Sequence, residues 1–270
     1  MICTAEALVL RGYRMTESSK VVILYSREKG KLRMAARGAR RPKSKFGASL
    51  EPITLGHYVF SYRENRELQT LTEGDIRYSF EGIKGHYQRM VTASVVCELL
   101  DHMTEDEDRN PMLFGIAVDA LRWLESVPEH ALELPLWYFQ LKGAAALGYR
   151  PHLSGCIRCG KRIAGERIRF NPYQGGTLCE VCESGGILVR RSSIACLEEI
   201  QVKNPDQISV SGYENANQNE INGLLRTFLE HHIESGRKVR SIAFMDQMMA
   251  AEKAPIPYRT RDAGVNSDAE

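Results

Sequence analysis

Residues 20–62 read KVVILYSREKGKLRMAARGARRPKSKFGASLEPITLGHYVFSY. The run Lys20–Arg27 is dense in Val, Ile and Leu, Gly30 supplies a turn, and Lys31–Arg37 continues in the same manner. Ile53–Tyr62 is again β-branched and aromatic. Short apolar runs separated by turn residues predict strands joined as hairpins. Outward from this stretch, Thr4–Gly12 and Glu67–Tyr78 have the same character, giving five strands in the first 80 residues. That count predicts a small closed barrel, and an SH3-like barrel fits it as well as an OB-fold does.

The connection between the third and fourth strands is chemically distinct. From Lys29 to Leu50 there is no acidic residue, while Lys29, Lys31, Arg33, Arg37, Arg40, Arg41, Lys43 and Lys45 all fall within it. Gly38 and Pro42 make Arg37–Lys45 a loop, whose cations can converge on a phosphate chain. Tyr58, Phe60 and Tyr62 alternate and therefore share one face of their strand. Such a row either stacks on bases, as in single-strand-binding barrels, or fills the barrel core, the commoner use.

The charge total hides this concentration. The chain of 270 residues has 36 basic and 34 acidic residues, a formal net charge of +2. By segment it is +7 over residues 1–80 (15 basic, 8 acidic), −5 over 81–150 (6 and 11), +3 over 151–190 (6 and 3) and −3 over 191–270 (9 and 12). A local polyanion-binding surface is expected, not a general stickiness. Hydrophobic residues at 43% exclude a wholly disordered chain.

Beyond residue 79 the apolar period lengthens. Phe80, Ile83, Tyr87, Met90, Val91 and Val95 recur at helical spacing, ending in the acidic tract Thr104–Asn110. Further helices are predicted over Met112–Val127, Ala131–Leu147, Ser192–Val202 and Asn219–Ser235, and a disordered tail over 254–270. Arg237, Lys238 and Arg240 either extend a basic surface or cap a helix end. The N-terminus MICTAEALVLRGYR lacks the form of a signal peptide, and no apolar run reaches membrane-spanning length, so a cytoplasmic protein is expected.

Seven cysteines occur, and four are paired: Cys156-Ile-Arg-Cys159 and, after 19 residues, Cys179-Glu-Val-Cys182. Two C-x-x-C turns at this separation form a zinc-ribbon pattern, each turn aiming two thiolates at one point. Four thiolates saturate Zn2+ and leave no position for water, so the expected role is structural. His152 is a possible spare ligand, though a surface loop position is its commoner use. Cys3, Cys97 and Cys196 are isolated, and Cys97 is expected in a helix core. His232-Ile-Glu234 contains the H-x-E of zinc deaminases, but it follows both pairs, whereas the deaminase signature precedes its cysteines. No HExxH, GxxxxGK[ST] or GxSxG is present, so peptidase, P-loop and serine-hydrolase chemistry have no motif.

Four stretches occur in a particular order: ARGARRPKSKFGASLEPITLGHYVF, FQLKGAAALGYRPHLSGCIRCG, FNPYQGGTLCEVC and RTFLEHHIESGRKVRS. Together they resemble the bacterial recombination mediator family RecO over most of residues 1–245. The resemblance implies an α+β multidomain protein: an N-terminal five-stranded OB-fold barrel (1–80) that binds DNA, an all-α domain (81–150, continued at 191–253), and a four-cysteine zinc-ribbon-like module inserted at 151–190. It implies a non-enzymatic protein that binds single- and double-stranded DNA and anneals complementary strands. Its partners would be RecR, often RecF, and the acidic C-terminal tail of SSB, and the outcome would be loading of RecA onto SSB-coated DNA. Cys156, Cys159, Cys179 and Cys182 would bind structural Zn2+. Arg37, Arg40, Arg41, Lys43 and Lys45, with Lys31 and Arg33 on the preceding strand, would contact DNA. The rival expectations are a zinc-ribbon transcription regulator and, more remotely, a zinc-dependent nucleic-acid hydrolase or deaminase. An isolated 1–80 fragment is expected to keep the DNA contacts.

Overall fold

The structure is a computed structural model that describes residues 1–182 and 185–233. The expected tail at 254–270, the end of the last predicted helix (Glu234, Ser235) and the basic residues Arg237, Lys238 and Arg240 lie outside the described residues.

The first five strands are β1 (Ile2–Arg14), β2 (Lys20–Ser26), β3 (Gly30–Ala36), β4 (Leu55–Ser61) and β5 (Leu68–Tyr78). They close into a barrel in the order β1-β2-β3-β5-β4, with β3 and β5 parallel and the other pairs antiparallel. This Greek-key order is that of the OB-fold, which settles the choice that strand counting leaves open. The interior is filled by Val9, Val22, Leu24, Leu32, Met34, Tyr58, Phe60 and Leu71. Tyr58 and Phe60 are therefore core residues, not a stacking platform. The Tyr58 hydroxyl donates to the Ser49 carbonyl at 2.6 Å, and burial pushes its pKa up. Tyr62 stays at the barrel rim, where its hydroxyl donates to Glu107 at 2.8 Å and the Lys29 ammonium lies 4.2 Å from the ring centre.

Strand β2 is buried along nearly its whole length. Val22 and Leu24 face the barrel interior, while Val21, Ile23 and Tyr25 point outward into a second core shared with the helices. This is why VVILY is continuously apolar rather than alternating. Leu8 and Leu10 of β1 join the same outer layer.

The helical body comprises α1 (Glu81–Lys84), α2 (Tyr87–His102), α3 (Pro111–Ser126), α4 (Glu133–Ala146), α5 (Arg191–Val202), α6 (Val210–Asn215) and α7 (Gln218–His232). The first predicted helix is thus two, because His86 is extended (φ −127°, ψ 117°). Asn110 caps α3 by accepting from the Leu113 N–H at 3.0 Å, and Pro111 opens the helix. Almost every side chain of α4 is buried, as expected of a helix at the centre of a core.

Between α4 and α5 lies a small antiparallel sheet that the sequence pattern does not predict, in the order β7-β6-β8: β6 (Arg167–Asn171), β7 (Gly176–Leu178) and β8 (Ile187–Arg190). Ile168, Phe170 and Val189 carry it into the helical core, where Phe170 meets Phe228 edge-on. Glu220 fastens the sheet to α7. Its carboxylate accepts from the Arg190 N–H at 2.9 Å and the Ser193 hydroxyl at 3.0 Å, and pairs with Arg167 at 3.2 Å.

Candidate nucleic-acid interface and metal centre

The loop after β3 is a chain of tight turns. Arg41 N–H donates to the Gly38 carbonyl and Ser44 N–H to that of Arg41, at 3.1 and 3.0 Å. Gly38 has φ +73°, a conformation that favours glycine. Phe46 plugs the loop into the barrel core. Arg40 ties it to the β1–β2 loop: its backbone N–H donates to Ser18 O at 3.1 Å, and its guanidinium donates to Thr16 O and Glu17 O at 3.2 Å. Arg40 is thus committed to holding two loops together. Lys45 lies 5.5 Å from the Phe46 ring centre. Arg37, Arg41 and Lys43 are exposed and make no ion pair with any described residue. Two further exposed arginines, Arg63 and Arg66, lie on the β4–β5 loop, Arg66 beside the first half of β3. Sequence reading passes over them because Glu64 and Glu67 interrupt that run.

The two strand cations face elsewhere. Lys31 is buried, and its ammonium donates to the carbonyls of Asp101 (2.6 Å) and Thr104 (2.5 Å) and pairs with the Asp101 carboxylate at 3.3 Å. Arg33 pairs with Asp106 at 2.8 Å. The acidic tract at 104–110 lies along β3, with Glu107 N–H donating to the Lys31 carbonyl at 2.9 Å. Part of the basic surplus of the barrel therefore neutralises the acidic helical body, and Lys31 has no access to a phosphate. Arg89, another local cation of that body, is also buried, with its guanidinium donating to the carbonyls of Leu124 and Val127 at the end of α3.

The four paired cysteines converge. Their sulfurs all lie within 4.8 Å of one another, and Cys159 and Cys179 are 3.7 Å apart. A tetrahedral Zn–S distance of about 2.3 Å requires sulfurs about 3.8 Å apart. A disulfide requires about 2.05 Å, and all seven cysteines are free. The first turn is closed by Cys156 N–H donating to Lys161 O (2.9 Å) and Gly160 N–H to Cys156 O (2.8 Å). The second is closed by Cys182 N–H donating to Cys179 O (3.1 Å). Thr177 locks the approach: it is fully buried, and its hydroxyl donates to Gly155 O at 2.5 Å. The next residue back, Gly176, has no room for a side chain, since a Cβ would lie 2.8 Å from Ile157 Cδ1.

The electrostatics suit a cation. Backbone N–H groups, that of Cys179 foremost, pull the Cys156 thiol down to about 6. Hydrogen bonding to the sulfurs of Cys159 and Cys179, together with the nearby Cys156 charge, pushes Cys182 up to about 12. Four thiolates within 4.8 Å of one another repel and need a positive ion between them. The donor set fits Zn2+. His152 is outside the quartet; its backbone pairs with Gly175 and Thr177 instead. Cys97 and Cys196 are buried apolar-core thiols.

Comparison with known proteins gives a consistent result. Residues 1–80 match the family model for the recombination protein O N terminal region, and residues 85–241 match that for the recombination protein O C terminal region. A protein of Symbiobacterium thermophilum named DNA repair protein RecO is 30% identical over 255 residues, covering 91% of this chain and 97% of its own. Its namesake in a Nocardioides species is 32% identical over 252 residues, covering 92% and 100%. That of an Exiguobacterium species is 31% identical over 252 residues, covering 92% and 97%.

Proposed function

Because this chain belongs to the RecO family of DNA repair and recombination proteins, we propose that it works as a non-catalytic strand-annealing mediator. The observation that carries this reading is the loop after β3. Arg37, Arg41 and Lys43 are exposed there, without an ion pair among the described residues, on a scaffold fixed by Phe46 and Arg40. Cations on such a loop neutralise phosphates and carry no base information, which is the requirement for pairing strands of any sequence. Arg63 and Arg66, on the β4–β5 loop, are exposed cations at the other end of β3. The outer face of β1 and β2 around Leu8, Leu10, Val21, Ile23 and Tyr25 is covered by the helices and closed to DNA.

Cys156, Cys159, Cys179 and Cys182 would hold Zn2+, which supplies four bonds that cross-link the two turns and no reactive position. Around that site, Phe170 packs on Phe228 of α7, and Glu220 of α7 ties β6, β8 and α5 together. The partners of this reading are single- and double-stranded DNA, RecR, the SSB tail and RecF. With them the protein would assist loading of RecA onto SSB-coated DNA in the cytoplasm. The helical body is an unobvious receptor for an acidic tail. Its cavity of about 590 Å³ beside Arg122 also contains Asp119 and Asp206.

The test is a strand-annealing assay with complementary oligonucleotides coated with SSB. Annealing without added nucleotide is the expected result, and its absence would reject the reading.

A further inference from the structure

A second cluster lies where the small sheet meets the end of α7, built from none of the residues of the basic loop or the cysteine quartet. Tyr173 sits on the β6–β7 turn and is 63% exposed. The turn is fixed by the Asn171 side chain, whose Oδ1 accepts from the N–H groups of Tyr173 (3.0 Å) and Gln174 (3.1 Å). The Tyr173 ring meets His231 edge-on with centroids 4.9 Å apart. His231 meets His232 at 4.8 Å, and His232 meets Tyr149 at 5.6 Å. Tyr149, just beyond the end of α4, is 44% exposed.

The base of the cluster is rigid. His232 packs on Phe228 at 4.6 Å, and its Nε2 lies 2.9 Å from the Pro172 carbonyl oxygen. Gly175, at φ +68°, passes so close that a Cβ would be 3.4 Å from Phe228 and 3.6 Å from His232. The rings above are thus held in place while their outer surfaces face solvent.

The flanks are cationic. Arg158 donates to the Gln174 side chain at 3.3 Å. Arg150 is exposed and adjoins Tyr149 in sequence. Neither arginine forms an ion pair with a described residue. The Lys142 amine is held below its ordinary range by burial and by the charge of Arg150. Exposed aromatic rings bordered by unpaired arginines are the elements of a single-strand platform, in which rings stack on bases and cations follow the backbone. A protein partner would also use Tyr and Arg, but the excess of positive charge favours a polyanion.

We propose that this cluster is a second contact for single-stranded DNA, with Tyr149 and Tyr173 stacking on bases and Arg150 and Arg158 binding the adjoining phosphates. The inference rests on the reading of the chain as a DNA-binding protein and adds to it a base-stacking site outside the barrel. One strand would then be held by its phosphates at the barrel loop and by its bases here. Duplex DNA, whose bases are already stacked, would use the loop alone.

The experiment uses the full chain and fluorescence anisotropy with a labelled oligo-dT and a duplex of equal length. Y149A/Y173A should bind oligo-dT at least about tenfold more weakly, with duplex affinity unchanged, and Y149F/Y173F should bind as wild type. The salt slope should be unchanged in Y149A/Y173A, because stacking releases no counterions. Equal losses on oligo-dT and duplex, or an unchanged oligo-dT affinity, would overturn the proposal, the latter pointing to a protein partner. Photocrosslinking of wild type to a 5-iodouridine oligonucleotide covers the case in which the alanine variant folds poorly. Adducts on Tyr149 or Tyr173 support the site, and adducts confined to the barrel overturn it. The underlying reading fails separately: wild type would then show no salt-sensitive DNA binding at all.

Discussion

The Lys31 ammonium, on a barrel strand, lies 3.3 Å from the Asp101 carboxylate in the last turn of α2, and both groups are buried. Arg11 closes the same carboxylate from the other side at 2.7 Å. Burial alone raises the Asp101 pKa, but the Arg11 hydrogen bond and the Lys31 charge outweigh it and hold the carboxyl below its ordinary range. Two barrel cations thus clamp the helical body at one acid. Removing one partner of a buried pair leaves a charge without compensation, so K31M should cost about 3 kcal/mol in denaturant unfolding. The pH sign follows from the depressed pKa. The clamp is at full strength above the unfolded carboxylate range and is lost as pH falls below about 4. D101N should remove that acid-side loss, which urea titrations between about pH 3 and 6 would detect. An unchanged acid profile in D101N would assign the loss to other carboxylates.

The basic loop divides into contacts and scaffold. Arg37 and Arg41 have no ion-pair partner among the described residues. Each phosphate contact to a single strand contributes about −0.7 to the slope of log K against log salt. R37A/R41A should flatten the slope by about 1.4 and weaken all sequences alike. R40A should act differently, because that guanidinium is spent on Thr16 and Glu17 carbonyls. It should weaken binding with the slope retained and raise proteolytic nicking in the β1–β2 loop. Salt titrations of both variants with random oligonucleotides decide between these outcomes, and discrimination among those oligonucleotides would favour a sequence-reading regulator instead.

How far the sequence discloses this arrangement depends on the residue. The strands are visible because Val, Ile and Leu runs end at Gly30 and in the 38–52 loop, and the cysteine spacing announces the cluster in which the four sulfurs meet. The partition of the cations is not visible. Lys31 and Arg41 lie in one acid-free run, yet the first points into the helical body and the second into solvent. That distinction depends on Asp101, seventy residues away, and no local pattern encodes it. The three strands around the quartet are three to five residues each, too short for a period to register. Tyr149, Tyr173 and His231 come from separate stretches and become a cluster only through the docking of that sheet.

Metal should be found at one Zn2+ per chain by elemental analysis of freshly purified protein. Zinc in small Cys-rich modules contributes about 10–16 kcal/mol of apparent binding energy. C156S or exhaustive chelation should therefore release the segment carrying β6–β8, seen as rapid amide exchange over residues 153–190. The salt slope of duplex binding, set by the barrel loop, should survive, whereas the single-strand slope should flatten by about 0.7 as the Arg158 contact is lost. Protected amides in the metal-free protein would show that Thr177 and the Phe170 contact suffice without the ion.

The barrel should not behave as an independent fragment, contrary to the expectation from strand pattern alone. Residues 1–80 form a closed sheet with its own interior. However, Leu8, Leu10, Val21, Ile23 and Tyr25 on its outer face are each at most 5% exposed, because the helices cover them. Removing the helical body would bare that face and leave Lys31 without its carbonyl and carboxylate partners. A contiguous apolar patch of this kind drives association. The fragment should precipitate or self-associate at micromolar concentration, measured by light scattering. Replacing Val21, Ile23 and Tyr25 with Thr, Thr and Gln should restore a monomer that binds DNA with the wild-type barrel's salt slope. A monomeric, well-dispersed fragment without those substitutions would show that the helical body is dispensable to the barrel.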